Sequence, residues 1–280
     1  MRKRILPRIN SPRVRDYLVR RLRWYVRNYA HKENGVIGIS GGVDSAVTAF
    51  LAAEALGPEH LYCYLLPSES TSKIDLEDAY AVVEKIGVPE KNIERIDIDD
   101  IVNVFTTTLN ATDLVEIGNI KARIRMIILH QRAYHNNALV IGTGDKSELL
   151  IGYFTKFGDG GVDVLPIGGL YKTHVRELGA FLGVPERIIK KPPSPGLWQG
   201  QTAEGELGLS YEEIDSILYC RFERWMRPEE ISKELEIDIK KVEYIINRVK
   251  MSQHKRLPPE VFHVGYRDIG SDWRYPREWF

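Results

Sequence analysis

Residues 38–45 read Gly-Ile-Ser-Gly-Gly-Val-Asp-Ser, a run that closes one apolar stretch and opens another. Val36, Ile37 and Ile39 suit a strand buried on both faces, and Val43, Ala46, Val47 and Phe50 suit a helix laid against it. Gly41 and Gly42 give the backbone the freedom that a tight strand-to-helix turn needs. They also put no side chain between the backbone N–H groups and a ligand. The unpaired N–H groups at the start of the next helix carry positive dipole potential, so the turn is built to take an anion. The turn lacks the Lys of a GxxxxGK[ST] loop. An ordinary glycine turn with Asp44 as a helix cap is the bland alternative; the strand–turn–helix context favours a phosphate loop.

A second strand end supplies further groups. A strand at 138–142 leads into Thr143, and Glu148 follows on a helix, so both lie where nucleotides bind in parallel sheets. Alone, Glu148 reads as a helix-surface residue. With Asp44 it makes an oxygen pair suited to magnesium held mainly by phosphates and water. Lys121, Arg123 and Arg125 put three cations on one helical segment, with 121 and 125 one turn apart and 123 pointing across the helix. Spacing alone equally suits a solvated charged face. Lys156, Asp159 and Asp163 sit among glycines, as an acidic turn or as an open backbone that admits a substrate. Lys172 opens a helix and by itself reads as a surface lysine. His254 and Lys255 end the last long helix, where cations complement the helix dipole.

The elements that must position these groups alternate. Strands are expected at 35–39, 60–66, 93–98 and 138–142, and helices at 43–56, 71–87, 118–136 and 172–183, which implies a mostly parallel α/β sheet covered on both faces. Ahead of it, 11–31 reads as an amphipathic helix with Val14, Leu18, Leu22, Tyr25 and Val26 on one face and arginines on the other. Residues 190–208 are rich in Pro and Gly; they are expected to form no regular element and to act as a mobile lid, with 67–73 as a second cover. Helices near 210–219, 228–235 and 238–252 and an aromatic, charged tail complete one domain over 1–280. Its parts are the N-terminal helix 11–31, a core at 35–190, the loop 190–208 and a C-terminal segment at 209–280.

Lys plus Arg and Asp plus Glu both number 39, so net charge favours neither nucleic acid nor membrane, although ten basic residues and one acidic residue fall between Arg2 and Arg27. Cys63 and Cys220 are too few and too far apart for a zinc site or a disulfide framework. The opening MRKRILPRI lacks the apolar core of a signal peptide, and no run approaches spanning length. A soluble, cytoplasmic protein is expected.

The element Ser40-Gly41-Gly42-Val43-Asp44-Ser45 resembles the PP-loop of ATP pyrophosphatases, which hold pyrophosphate as ATP is split to AMP. Four further stretches follow in order: Asn119-Ile-Lys-Ala-Arg-Ile-Arg-Met126, Gly142-Thr-Gly-Asp-Lys-Ser-Glu148, Gly152 to Asp163, and Ser252-Gln-His-Lys-Arg256. With them, residues 12–260 resemble NAD synthetase, the family that amidates nicotinic acid adenine dinucleotide. The resemblance implies a Rossmann-like adenine-nucleotide hydrolase fold with a five-stranded parallel sheet and a C-terminal helical segment. It implies an amide-forming carbon–nitrogen ligase that uses ATP, ammonia and the deamido-dinucleotide through an adenylated carboxylate. ATP is expected at Gly38, Ile39, Ser40, Gly41, Gly42, Val43, Asp44 and Ser45, with Thr143, Lys172 and Ser194. Mg2+ is expected on Asp44 and Glu148, and the dinucleotide on Arg123, Lys156, Asp163, His254 and Lys255. Asp44 and Lys172 are the expected catalytic groups, and Asp159 or Asp163 is a candidate base for ammonium.

The resemblance also implies a homodimer. No glutaminase domain precedes residue 12, so free ammonia, or ammonia from a partner, is expected. Gly144-Asp145-Lys146-Ser147 departs from a His-containing string common in bacterial relatives but leaves Thr143 and Glu148 in register. The alternative is a PP-loop ATPase that adenylates a tRNA base. The basic helix favours it, and the lack of a reactive cysteine pair counts against it.

Overall fold

Asn34–Gly38 forms β1, whose side chains are buried on both faces, as its apolar run requires. This computed structural model describes residues 5–262 apart from Gln199, and also Val264. The first basic residues and the aromatic tail lie outside the described residues. From β1 the chain runs through α2 (Val43–Leu56) to β2 (Leu61–Leu65), then through α3 (Lys73–Lys85) to β3 (Ile93–Arg95). Two helices, α4 (Asp99–Leu109) and α5 (Leu114–His135), return the chain to β4 (Ala138–Val140). Ahead of β1 lies α1 (Ser11–Trp24), extended by a π turn at Tyr25–Tyr29. After β4 come α6 (Lys146–Ile151), α7 (Lys172–Leu182), α8 (Glu186–Lys190) and α9 (Ala203–Leu207). The described chain ends with α10 (Tyr211–Phe222), α11 (Pro228–Leu235), α12 (Ile239–Met251) and α13 (Gln253–Arg256).

The strands pair in parallel in the order β3–β2–β1–β4. Chain direction across the sheet therefore reverses between β1 and β4. Ligands in such sheets bind in the crevice at that reversal, beyond the carboxyl ends of the strands. One core packs α1, α2, α3 and α7 on one face of the sheet, around Ile37, Leu51, Leu61 and Val175. A second packs α4 and α5 on the other, around Val36, Tyr64, Ile124 and Val140. A third joins α6 to α10, α11 and α12 through Ile151, Ile217, Ile231 and Ile245.

Three expectations need correction. The described residues form four strands, not five. In the fifth position Ile141 and Val164 make a single parallel bridge, flanked by Asp163 N to Val140 O at 3.0 Å and Gly142 N to Val164 O at 2.8 Å. The ladder stops because Val140 N donates to the Asp163 carboxylate at 2.7 Å and Pro166 offers no N–H. Second, α5 begins at Leu114, ahead of the expected 118, because Asp113 caps it by accepting from Val115 N and Glu116 N. Third, 190–208 is not wholly irregular: Thr202 caps the short helix α9 through Gly205 N.

Two arginines, Arg23 on α1 and Arg27 in the π turn after it, act as a capping device for α2, while Arg13, Arg20 and Arg21 stay exposed. Arg23 donates to Ala55 O and Glu54 O, and Arg27 donates to Leu56 O, which satisfies the last carbonyls of α2. Among the described residues no helix is long and apolar enough to cross a membrane.

Candidate active site

The loop after β1 is shaped by its own hydroxyls. Ser45 Oγ accepts from Ser40 N at 3.2 Å and donates to Gly42 O at 3.0 Å, and it lies 3.1 Å from Ser40 Oγ. Gly41 adopts φ +79°, and a Cβ there would lie 2.1 Å from Asp75 O, so no other residue fits. Beneath the loop, Lys191 donates to Gly41 O at 3.1 Å and to Asp75 at 2.8 Å, and it pairs with buried Asp78. Lys191 thus fastens the start of the 192–208 segment to the loop, a contact between distant segments that sequence reading missed.

At the β1–β4 reversal the side chains converge on Lys172, the first residue of α7. Its ammonium, with 0% exposure, donates to Asp44 Oδ2 at 2.6 Å and Glu148 Oε1 at 2.8 Å, and it lies 3.1 Å from Asp145 Oδ2. The two expected magnesium ligands therefore share one cation. Asp145 was not foreseen. Its Oδ1 accepts from Glu148 N at 2.8 Å in a capping box, while Oδ2 faces the lysine. The D-x-x-E signal is readable in the sequence, but it announces only a helix start.

Desolvation raises the Asp145 carboxyl well above the carboxylate range, with Lys172 pulling the other way. Desolvation likewise raises Glu148, to about 7, again opposed by Lys172. Burial pulls the Lys172 ammonium down, but Asp145, Asp44 and Glu148 together outweigh it and hold the group well above its ordinary value. One cation among three carboxylates leaves the cluster short of positive charge.

Thr143 lies half-buried in the turn after β4 that leads to Asp145 and Glu148. Asp44 Oδ1 is buried and accepts no hydrogen bond, so it offers an oxygen beside that of Glu148. Among the described residues no group of three or more His, Cys, Asp and Glu is arranged to cage an ion. The unpartnered Asp44 oxygen beside Glu148 suits a hard cation whose remaining oxygens come from phosphate and water.

A second set assembles at the other side of α6. Lys255 donates to Gly152 O and Phe154 O, both at 2.8 Å, Lys156 donates to His254 O at 2.7 Å, and Arg123 donates to Lys156 O at 3.4 Å. Four of the five expected dinucleotide residues thus meet in one place. Gly152 permits the approach: at φ +67°, a Cβ would lie 2.1 Å from Ser252 Cβ. Asp163 sits apart from these contacts, its carboxylate accepting from Val140 N at the edge of the sheet. Asp159 accepts from Thr155 N at 2.8 Å, and desolvation by the surrounding protein raises its carboxyl.

The cations of α5 divide. Arg123 is exposed, whereas Lys121 is buried and donates to Leu197 O at 3.1 Å, with Ser70 Oγ at 3.5 Å. Arg125 donates to Leu66 O at 3.0 Å, and burial pulls it down to about 10. Ser70 also donates to Gly196 O at 2.9 Å, so the 67–73 and 192–208 segments meet over Lys121. Ser194, expected at ATP, donates to Gln201 O at 2.6 Å and accepts from Gly196 N, which shapes the loop.

Residues 14–259 match the family model described as NAD synthase. A protein of Sulfurisphaera tokodaii named NH(3)-dependent NAD(+) synthetase is 57% identical over 266 residues, covering 95% of this chain and 94% of its own. Its namesake from Saccharolobus solfataricus is 55% identical over 271 residues, covering 97% and 96%. Among solved structures, NMN synthetase from Francisella tularensis has a TM-score of 0.80 at 37% identity, over 91% of this chain and 100% of that one. The NH3-dependent NAD synthetase from Campylobacter jejuni, in complex with nitrate, has a TM-score of 0.77 at 30% identity, over the same shares.

Proposed function

The chain belongs to the NAD synthase family, and from that membership we propose that it amidates nicotinic acid adenine dinucleotide with ammonia, converting ATP to AMP and pyrophosphate. The observation that carries the reading is the convergence of Asp44, from the phosphate loop, and Glu148, from the end of β4, on one buried lysine.

A carboxylate oxygen does not leave in exchange for ammonia until it is activated. The nicotinate carboxylate attacks the α-phosphorus of ATP; an O–P bond forms, the bond to the bridging oxygen breaks, and pyrophosphate departs. Backbone N–H groups at the start of α2 stabilise charge on the departing group without a covalent enzyme intermediate, while the buried Lys172 ammonium holds Asp44 and Glu148 in place beside it. Ammonia then attacks the acyl carbon, AMP leaves, and one proton is lost, for which Asp159 and Asp163 are the candidate acceptors. Asp44 and Glu148 would hold Mg2+, which supplies electrostatic neutralisation of the phosphates. Arg123, Lys156, His254 and Lys255 bind the anionic dinucleotide. Residues 67–73 and 192–208 cover the adenylate and keep water from it.

Purified protein given ATP, Mg2+, ammonium and the deamido-dinucleotide should form NAD, AMP and pyrophosphate in equal amounts; ADP as product, or no NAD, would overturn the reading. The likeness to an NMN synthetase supports a second one, in which the acceptor is the mononucleotide. Comparing kcat/KM for the two nicotinate substrates decides between them. The tRNA alternative is not favoured, because the matching family model and the curated relatives are NAD synthetases; Arg23 and Arg27, moreover, are engaged on α2 carbonyls.

We also propose a homodimer, for which α1 and the π turn after it supply the surface. Tyr17, Trp24 and Tyr29 are exposed, and a groove of about 550 Å³ runs between α1 and residues 164–170. Light scattering at micromolar concentration tests it. The free buried cysteines Cys63 and Cys220 support a cytoplasmic location.

A further inference from the structure

Helix α7 begins with Lys172 but has no side-chain cap of its own; Tyr171 at its N-cap makes no capping hydrogen bond. The first N–H groups are met from elsewhere. Lys172 N donates to Ser147 Oγ at 3.0 Å, and Thr173 N donates to Asp215 Oδ2 at 2.8 Å. Asp215 also accepts from Thr173 Oγ1 at 2.6 Å and, through Oδ1, from Ser147 Oγ at 2.5 Å. A buried carboxylate is costly unless its oxygens are satisfied, and here three donors occupy both.

Asp215 lies on α10, in the C-terminal helical segment. One turn earlier on the same helix stands Tyr211; both are 0% exposed. The Lys172 ammonium lies 5.1 Å from the centre of the Tyr211 ring, and the Tyr211 hydroxyl is buried with no hydrogen-bond partner. Residues four apart share a helix face, so α10 presents one face to Lys172 at two points. Asp215 sets where the backbone of α7 starts, and the Tyr211 ring bounds the path of the amine. Ser147, between them, immediately precedes Glu148, so the same carboxylate also holds the turn that carries the second acidic ligand.

We infer that Asp215 and Tyr211 are positioning residues for the ATP site, a clamp by which the C-terminal segment fixes Lys172 and Glu148 relative to the phosphate loop. The inference rests on the amidation reading for the identity of the nucleotide, but its test reads ATP binding without turnover.

The variants are D215N, T173V, Y211F and Y211L in the full chain. The readouts are calorimetric affinity for a non-hydrolysable ATP analogue with Mg2+, calorimetric affinity for the deamido-dinucleotide, and Tm. In D215N an amide N–H faces a donor. We expect at least a tenfold loss of analogue affinity, with dinucleotide affinity changed less than twofold. T173V removes one of the three bonds and should lose about two- to fivefold. Y211F, which keeps the ring, should recover affinity that Y211L loses. Analogue affinity equal to wild type in folded D215N, or equal losses for both ligands, would overturn the clamp. Should D215N fail to fold, T173V and the two Tyr211 variants decide by the same criterion. Wild type that binds the analogue but forms no NAD would refute the amidation reading and leave the clamp to be judged on binding alone.

Discussion

Lys172→Met keeps an unbranched stem of similar length and removes the one ammonium shared by Asp44, Asp145 and Glu148. Removing one partner from a buried ion pair costs about 3–5 kcal/mol, because the charge left behind is uncompensated. Here three carboxylates are left, so the upper part of that range is expected at pH 8. The loss should shrink on acidification. Burial already raises Asp145, and raises Glu148 from 4.5 to about 7, so between those values the folded state holds more protons than the unfolded one. Stability therefore falls as pH rises through that window. Without the lysine these carboxyls bind protons more tightly still, and each narrows the deficit by about 1.4 kcal/mol for every pH unit between its new value and its wild-type one, below which both proteins gain alike. Lys172 itself is raised above 10.5, so its contribution to wild type persists through neutral pH and is lost only above that value. Guanidinium denaturation of both proteins at pH 8 and pH 5.5 is the assay. Wild-type stability of Lys172→Met at pH 8, or the same deficit at both pH values, would refute the account of a single cation compensating the cluster.

Asp44→Asn should abolish NAD formation, and Glu148→Gln should lower it less; near-normal turnover of Asp44→Asn at millimolar Mg2+ removes the metal assignment. Because burial raises Glu148 to about 7, the Mg2+ concentration for half-maximal rate in wild type should rise about fivefold from pH 7 to pH 6, and a flat profile counts against Glu148 as a ligand. Lys121→Met should release Leu197 O and Ser70, speed proteolysis within 192–208 and raise AMP formed per NAD; unchanged cleavage and stoichiometry would leave that segment a mere connection. Ammonium should support turnover and glutamine alone should not, as read by NAD formed after enzymatic removal of free ammonia.

The parts of the site that were legible are those where one segment carries both the element signal and the chemistry. Gly41, Gly42 and Asp44 stand between an apolar strand and an apolar helix, so turn, anion preference and helix start all point one way. Asp145 was hidden by a sufficient local explanation, since its capping box with Glu148 accounts for an Asp at that position before Lys172 is considered. Asp215 was hidden in the same way, within the acidic first turns of α10, where Glu212 and Glu213 also lie. Its partners Ser147 and Thr173 are 68 and 42 residues away. Such pairings follow from how helices pack on one another, and periodicity within a helix says which face is buried but not against what. Lys121 and Arg123 show the limit most clearly. They share a helix, a sign of charge and a two-residue spacing, yet Lys121 is buried and Arg123 exposed. What separates them is Leu197 O and Ser70 Oγ, brought from 76 and 51 residues away to accept from Lys121. A lysine is buried only where acceptors replace its water, so its fate is decided by the loops that close over it and not by the helix that carries it.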